Sequence, residues 1–316
     1  MDGTLWLPGQ ASETAVAVDR AFHIVYWTSA FFLALITFLL VLFIVRYRQR
    51  PGYVQQPSHD HNTSLEVFWS VIPILIVIGL FWEGYRSYLT LAVAPQNTYE
   101  ILVTGQKWNW QFTYPNGYVD GELHVPKDTA IKLTMSSQDV IHSFFVPNFR
   151  VKRDVIPGRY TQLWFTPLVA GTYDVFCAEY CGTNHSGMLT KVVVHEPQEF
   201  DKWLEEASDF LSRMPPAEAG QLLYRMRGCK QCHSVDGAVG TGPTFADLFG
   251  DSVTLRSGER ITAEENYIRN SIVDPQSQVV AGFEPVMPTY RGRLKDAEIS
   301  AIIEYIKTLH GDGSSR

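Results

Sequence analysis

Two long runs of apolar residues dominate the first ninety positions of the chain. Residues 24–45 form a run of 22 without a charged side chain, and residues 67–82 form another of 16 with a tryptophan near each end. As a helix, the first run would be about 33 Å long, enough to cross a hydrocarbon core of about 30 Å. Tryptophan is typical of membrane interfaces. The pattern predicts an N-terminal segment and transmembrane hairpin over 1–92, with spans at about 22–46 and 66–90.

The charges between the two runs indicate how the hairpin is oriented. Arg46, Arg48 and Arg50 follow the first run directly. Because positive charge accumulates on the cytoplasmic side of a membrane, the turn of the hairpin is expected to face the cytoplasm. Both termini, and everything after about residue 90, are then expected outside it.

The hydrophobic pattern changes after the hairpin to short stretches in which apolar and polar residues alternate. These stretches occupy residues 99–105, 108–114, 129–135, 161–166 and 188–194. P-N-G and P-G turns separate some of them, and residues 171–181 suggest a strand that runs into a loop. Such spacing predicts an all-β sandwich or barrel, which we assign to residues 93–198.

The remainder of the chain favours helices. Residues 197–216 carry five acids against two bases and end in two prolines, which predicts a short acidic helix and a stiff break. We assign the linker to 199–215 and a further domain to 216–316. Helices are predicted at 216–228 and at 296–309, where isoleucines recur at helical spacing.

Composition narrows the possible functions. The chain has 316 residues, 19% of them charged, and a formal net charge of −7. The acidic balance argues against binding to nucleic acid. It contains four cysteines, and all of them fall within two short motifs.

The first motif, C-A-E-Y-C-G-T-N-H-S-G-M, offers four soft or borderline metal ligands: Cys177, Cys181, His185 and Met188. Thiolate, thioether and imidazole suit copper. A mononuclear blue-copper site uses one cysteine and two histidines, so two cysteines favour two copper ions bridged by thiolates. His142 is the candidate second histidine. A disulfide between the cysteines and a zinc site remain as alternatives, although methionine is a poor zinc ligand.

The second motif, C-K-Q-C-H, is the attachment signature of a c-type haem. Cys229 and Cys232 would form the thioether bonds and His233 would be an axial ligand. The opposite ligand must come from elsewhere, and Met287 is the preferred candidate over Met214 and Met226. A redox-active cysteine pair is the alternative, but it would require a thioredoxin-like setting. Haem attachment of this kind takes place outside the cytoplasm, in agreement with the expected orientation.

The motifs resemble those of a known family. Residues 95–197 resemble the dinuclear copper (CuA) domain of subunit II of haem–copper cytochrome c oxidases, and residues 20–90 resemble its membrane hairpin. M-P-T-Y and the arrangement of first and last helices resemble class I cytochromes c. The whole resembles subunit II of a caa3-type oxidase. The implied fold is a multidomain membrane protein: a two-helix transmembrane hairpin, an all-β cupredoxin-like Greek-key domain and an all-α cytochrome c domain.

The resemblance also implies roles for individual residues. Cys177 and Cys181 would bridge the copper ions, and the remaining ligands would be the side chains of His142, His185 and Met188 with the backbone carbonyl of Glu179. The Glu179 carboxylate would reach a Mg²⁺ or Mn²⁺ shared with subunit I. G-Q-K-W-N-W-Q-F would make Trp108 the surface entry for electrons. Glu66 would lie at the mouth of a proton path, although a carboxylate there could simply cap a helix. The carbonyl of Pro243 would fix the haem-ligating imidazole.

These expectations combine into one function. Electrons would pass from a soluble donor, such as cytochrome c or another small redox protein, to the haem c, then to CuA and to the haem of subunit I. There oxygen would be reduced to water, coupled to proton pumping. The expected partners are subunits I and III, subunit IV as a further candidate, and the lipid of a bacterial cytoplasmic membrane. A CuA-containing nitric oxide reductase and a copper storage or delivery protein are the alternatives.

Overall fold

The computed structural model describes residues 3–4, 6–52 and 61–309, which divide into two compact units. The first unit comprises the described residues of Met1–Gln96 together with Asn148–Arg150. The second comprises Asn97–Pro147 and the described residues of Val151–Arg316.

The first unit is a helical hairpin. Its helices are α1, Glu13–Tyr47, and α2, Thr63–Ala92. Each begins at a polar cap, because the side chains of Ser12 and Asn62 accept hydrogen bonds from backbone amides of the first turn. Arg20 of α1 forms an ion pair with Glu83 of α2 at 2.8 Å. With 35 and 30 residues and largely exposed apolar surfaces, both helices are long and apolar enough to cross a membrane.

The N-terminal part of the second unit is a sandwich of two five-stranded sheets. Its strands are β1 Tyr99–Gln106, β2 Asn109–Thr113, β3 Val119–Asp120, β4 Leu123–Pro126, β5 Ile131–Ser137, β6 His142–Val146, β7 Val151–Val155, β8 Thr161–Phe165, β9 Gly171–Cys177 and β10 Leu189–His195. One sheet has the order β3-β2-β1-β5-β8 and the other β4-β10-β9-β6-β7. The pairs β1/β5 and β4/β10 are parallel, and the other neighbouring pairs are antiparallel.

Alternation along the strands builds the core between the sheets. In β5, Ile131, Leu133 and Met135 are fully buried, while the residues between them are partly exposed. Phe112 and Phe144 meet edge to face at 6.2 Å between ring centroids. The strand pattern of the sequence is thus half-buried as predicted, and β9 ends at Cys177, where the sequence predicted a loop.

The linker is anchored to the β-sandwich. It forms α3, Pro197–Ser208, and the short α4, Phe210–Arg213. Trp203 of α3 stacks on His124, with 3.9 Å between ring centroids and an interplanar angle of 7°. His124 Nδ1 in turn lies 2.8 Å from His195 Nε2, and Phe200 meets Tyr99 edge to face. These ring contacts hold α3 against β4, β10 and the start of β1, so the helix is not a free spacer.

The C-terminal part of the second unit is mainly helical. It comprises α5 Pro216–Met226, β11 Ser252–Thr254, β12 Arg260–Thr262, α6 Glu265–Val273 and α7 Asp296–Lys307. Helices α5 and α7 cross closely at Gly220, where an added Cβ would lie 1.9 Å from the carbonyl oxygen of Ala301. Leu223 and Ile302 are buried in the shared apolar cluster. A buried ion pair at 2.5 Å, Arg227 with Glu298, joins the end of α5 to α7.

Candidate copper and haem sites

Two adjacent strands and one loop bring the ligands of the first motif together. In the antiparallel pair β6/β9, Phe144 lies opposite Cys177, so His142 at the start of β6 is close to the end of β9. The chain then turns through the loop 178–188, where His185 begins a short 3-10 helix and Met188 is fully buried just before β10. The topology therefore closes a loop around Cys177 and Cys181.

The donor atoms lie at separations suited to shared metal ions. Cys177 Sγ is 3.8 Å from Cys181 Sγ and 3.9 Å from His142 Nδ1. Cys181 Sγ is 3.5 Å from His185 Nδ1 and 3.8 Å from Met188 Sδ. Sulfur and nitrogen ligands of an ion such as zinc lie about 2.3 and 2.0–2.1 Å from it, so two ligands of one ion are about 3.5 Å apart. A disulfide needs about 2.05 Å, and both cysteines are free.

A main-chain oxygen completes the donor set, since the carbonyl oxygen of Glu179 lies 3.3 Å from Cys177 Sγ. Glu179 is itself exposed. The set contains soft sulfur, imidazole nitrogen and one carbonyl oxygen, which is chemically suited to copper. The residues present therefore fit a dinuclear copper centre.

Hydrogen bonds orient the histidine that is contributed by β6. His142 Nε2 lies 2.9 Å from the carboxylate of Asp139, whose other oxygen accepts from the backbone N–H of Lys107 at 2.7 Å. The contact between His142 Nε2 and Asp139 directs the other ring nitrogen, Nδ1, toward Cys177. Burial opposes ionisation of Cys177, but hydrogen bonds with His142 and with the backbone lower its pKa to about 6. A thiolate at neutral pH is the form that binds metal.

The side chain of Trp108 is only 5% exposed, so it does not lie at the solvent surface as expected. Its role as the entry point for electrons stays a prediction. Trp108 lies in the turn between β1 and β2, and its Nε1–H donates to the carbonyl oxygen of Cys181 at 3.3 Å. Trp110, which is also buried, lies with its ring 5.9 Å from that of His142. Trp108 is thus hydrogen-bonded to the loop 178–188, which we call the copper loop.

A large cavity lies beside the second motif. It has a volume of ≈ 400 Å³ and is lined by Cys229, Cys232, His233 and Met287. His233 Nδ1 is 2.7 Å from the carbonyl oxygen of Pro243, which leaves Nε2 as the free ring nitrogen. The imidazole also stacks on Phe245, and the close approach of Gly242 to it leaves no space for a Cβ.

The cavity distinguishes among the candidate methionines. Met287 lines it and packs against the apolar cluster of this domain. Met214 and Met226 instead line a different cleft, which contains no haem-motif cysteine among its described lining residues. Three polar side-chain atoms are buried at this cavity without a hydrogen-bond partner among the described residues: Nδ2 and Oδ1 of Asn109 and Oε1 of Gln278. These orphaned polar atoms and the mostly apolar lining fit a bound haem.

Glu66 lies in the first turn of α2, in the hairpin unit. Its Oε1 accepts from the backbone N–H of Asn62 at 3.3 Å and lies 2.9 Å from His61 Nδ1. The carboxylate therefore caps α2, which is the alternative role that the sequence left open for Glu66. That geometry does not conflict with a proton-handling role.

Several residues near the sites carried no sequence signal. Asn109 lines the haem cavity although it belongs to the β-sandwich, and Asn184 lies between two predicted copper ligands. Arg293 of the haem domain donates to Gln106 and to Gln138 of the β-sandwich. Only the position of Asn184 inside the copper motif could have suggested a role from sequence.

The fold and sites define a membrane-anchored electron-transfer protein with a copper-type β domain and a cytochrome c domain. Three family models match the chain: cytochrome c oxidase subunit II, transmembrane domain, at residues 2–82; cytochrome c oxidase subunit II, periplasmic domain, at residues 116–196; and cytochrome c at residues 217–310. The β domain is of the cupredoxin type, and the family models imply CuA copper and haem c.

Relatives agree with these matches. The chain is 34% identical over 252 residues to cytochrome c oxidase subunit 2 of Thermostichus vulcanus, covering 62% of this chain and 77% of that protein. It is 31% identical over 283 residues to the subunit 2 of Alkalihalophilus pseudofirmus, covering 86% and 81%. The solved periplasmic domain of subunit II of cytochrome oxidase of Bradyrhizobium japonicum is 32% identical, with a TM-score of 0.36, and covers 37% of this chain and 98% of that one. The chain belongs to the cytochrome c oxidase subunit II family, in the form that carries a fused C-terminal cytochrome c domain.

Proposed function

We propose that the chain is the electron-accepting subunit of a caa3-type, oxygen-reducing and proton-pumping oxidase. Electrons would enter from a soluble donor such as cytochrome c at the haem c, continue to CuA and leave to the haem of subunit I. The observation that carries this proposal is the convergence of two cysteines, two histidines, a methionine and a carbonyl around one point of the copper loop.

Each ligand side chain would have its own role in holding the copper centre. Cys177 and Cys181 would bridge the two ions, while the histidines would each complete one side: His142 next to Cys177 and His185 next to Cys181. Met188 would be the weak sulfur ligand beside Cys181. When bound, a centre of this kind stores one electron shared by both ions. Sheet pairing fixes β6 and β9, and the hydrogen bond from Trp108 holds the loop at Cys181, so the ligands need little movement.

The haem would be held by residues on both faces of the cavity. Cys229 and Cys232 would carry the thioether bonds, and His233 would ligate through Nε2 while the Pro243 carbonyl fixes its ring. Met287 would be the opposite ligand. A methionine–histidine pair raises the potential of a haem, which suits a group that accepts electrons from a diffusing carrier.

The remaining assignments concern partners. The exposed carboxylate of Glu179 would reach a Mg²⁺ or Mn²⁺ shared with subunit I. Glu66 would receive protons at the start of a path into that subunit. Subunit III, and IV as a further candidate, would complete the assembly. The membrane would be a bacterial cytoplasmic membrane, and the basic residues after α1 favour an orientation with the copper and haem domains on its periplasmic side.

The test is the metal content and spectrum of the purified oxidase. We expect two copper ions per chain, besides any copper in subunit I, and an electron paramagnetic resonance pattern of one unpaired electron shared by two copper nuclei. A pattern from a single copper nucleus would contradict the dinuclear assignment. Loss of the shared pattern in Cys181→Ser, with the haem spectrum unchanged, would locate the centre at this loop.

A further inference from the structure

The haem domain contacts the β-sandwich at the residues on both sides of Trp108. Gln106 lies just before the turn that carries Trp108, and Asn109 lies just after it. Lys107 and Asn109 both line the haem cavity. The turn is therefore a surface on which the C-terminal domain of the same chain is seated.

One contact joins the two cofactor-binding loops directly. Asn184, which lies between Cys181 and His185, donates from Nδ2 to the carbonyl oxygen of Gln231 at 3.3 Å. Gln231 lies between Cys229 and Cys232 of the haem motif. The backbone that carries the haem cysteines is thus hydrogen-bonded to the loop that carries the copper ligands.

A close packing contact lies next to this hydrogen bond. Gly228 precedes the haem motif and has a φ of 78°, and a Cβ there would lie 2.2 Å from Asn109 Nδ2. Similarly, a Cβ on Gly121 would lie 2.6 Å from the carbonyl oxygen of Met226. The two domains approach closely enough at both points that only glycine fits without movement.

Arg293 makes the charged contact of this surface. Its guanidinium donates to the side-chain oxygen of Gln106 and, at 2.7 Å, to that of Gln138. Gln106 is only 2% exposed, so its oxygen would lose a partner in a buried place without the arginine. Gln138 precedes Asp139, which orients His142. The backbone N–H of Gln138 donates to the carbonyl oxygen of Gly105. The arginine thus holds the end of β1, just before the Trp108 turn, together with the β5–β6 connection that is hydrogen-bonded to it.

We propose that Arg293 is a positioning residue: it fixes the haem domain against Gln106 and Gln138 of the β-sandwich and closes the Trp108 turn to soluble donors. The partner of this surface is the chain's own cytochrome domain. Electrons from a soluble donor must then enter at the haem, and the transfer to copper occurs across a fixed contact instead of a diffusional encounter. The inference rests on the proposed function.

The test compares Arg293→Ala with Arg291→Ala in the complete oxidase. Arg291 is two residues away, is largely exposed and pairs with Asp274 of its own domain, so it is the matched control. The first measurement is amide hydrogen exchange in residues 106–109. The second is the rate at which an electron placed on the haem by photoreduction appears on the copper.

For Arg293→Ala we expect both centres to keep their absorption and paramagnetic resonance spectra. Exchange in residues 106–109 should rise, and electron transfer should slow, each by roughly tenfold or more, because a hydrogen bond from a charged donor is lost and a buried acceptor is left unpaired. Arg291→Ala should change neither. Arg293→Lys, which can still donate to one glutamine, should recover part of the rate.

Unchanged exchange and an unchanged transfer rate in Arg293→Ala, with both spectra intact, would overturn the inference. Should that variant not assemble, Gln138→Ala removes one acceptor from the other side of the contact and should give a smaller change of the same sign. A parent oxidase without the copper or haem spectrum would overturn the proposed function itself. The two failures are therefore distinguishable.

Discussion

Gly220 offers the sharpest test of the haem-domain packing. It lies within α5 at the crossing with α7 and is fully surrounded by protein. A Cβ at this position would lie 1.9 Å from the carbonyl oxygen of Ala301 and 2.7 Å from Cβ of Tyr305. The first of these is a backbone atom, so side-chain rotation cannot relieve the overlap. Ordinary contact begins at 3.4 Å, and the helices would have to separate by about 1.5 Å.

Two opposing effects set the size of the change in Gly220→Ala. Alanine is a better helix former than glycine by about 1 kcal/mol, which would stabilise α5. Separating the helices loosens the packing of the shared apolar cluster, and overpacking of this kind costs about 1–3 kcal/mol, or more where backbone must move. Since the overlap is with backbone, we expect the overpacking cost to exceed that range, at about 3–5 kcal/mol, which leaves a net destabilisation of about 2–4 kcal/mol.

The assay is thermal unfolding of the haem domain within the complete chain, followed by the haem absorption that reports methionine ligation. For a domain of about one hundred residues, a change of this size lowers the midpoint by about 10–25 °C. Gln221→Ala, at the next and exposed position of α5, should leave the midpoint nearly unchanged. A Gly220→Ala midpoint equal to that of the parent would show that α5 and α7 do not meet at this residue.

Three further predictions concern the sites and the linker. Met287→Leu should abolish the sulfur-to-iron absorption band at the red end of the visible spectrum and lower the haem potential; a retained band would mean that another residue is the ligand. Trp108→Phe removes the hydrogen bond to Cys181 and should slow reduction of copper, as measured by stopped-flow absorption; an unchanged rate would exclude the indole from the path. Burial and the neighbouring His195 lower the pKa of His124 to about 3. His124 therefore takes up a proton when the domain unfolds below about pH 6.5. The free energy of unfolding should thus fall with decreasing pH, by up to about 1.4 kcal/mol per pH unit. His124→Phe, which keeps a ring against Trp203, should flatten this dependence in urea unfolding at pH 7 and pH 5, and an equal slope would contradict it.

The sequence was informative wherever chemistry and spacing are local. The membrane hairpin follows from uncharged runs that no aqueous loop would tolerate. The strands with regular alternation, such as β5, were predicted within two residues because one face must be buried. The haem motif and the copper loop were recognisable because most of the residues that would hold each group fall within one short segment.

The sequence could not reveal contacts that depend on tertiary structure. Trp108 lies in a strand-like stretch but occupies a turn, so the alternation of that stretch gave no information about its exposure. The stack of Trp203 on His124 joins residues far apart in sequence, and nothing local distinguishes either from an ordinary linker or surface residue. Arg293 was one of several arginines in the haem domain, and only the docked structure singles it out.

The tether explains why a single arginine can decide how the two cofactor sites face each other. Because α3 is anchored by Trp203, the free connection to α5 is at most residues 209–215, which span roughly 25 Å even when fully extended. A short tether of this kind keeps the haem domain at an effective concentration in the millimolar range near its docking surface. An interface with a dissociation constant in the same millimolar range would then be populated about half of the time. Hydrogen bonds from a charged group contribute about 1.5–3 kcal/mol, and each 1.4 kcal/mol shifts the equilibrium tenfold, so the Arg293 contact can convert a loosely tethered domain into one that is docked almost all of the time.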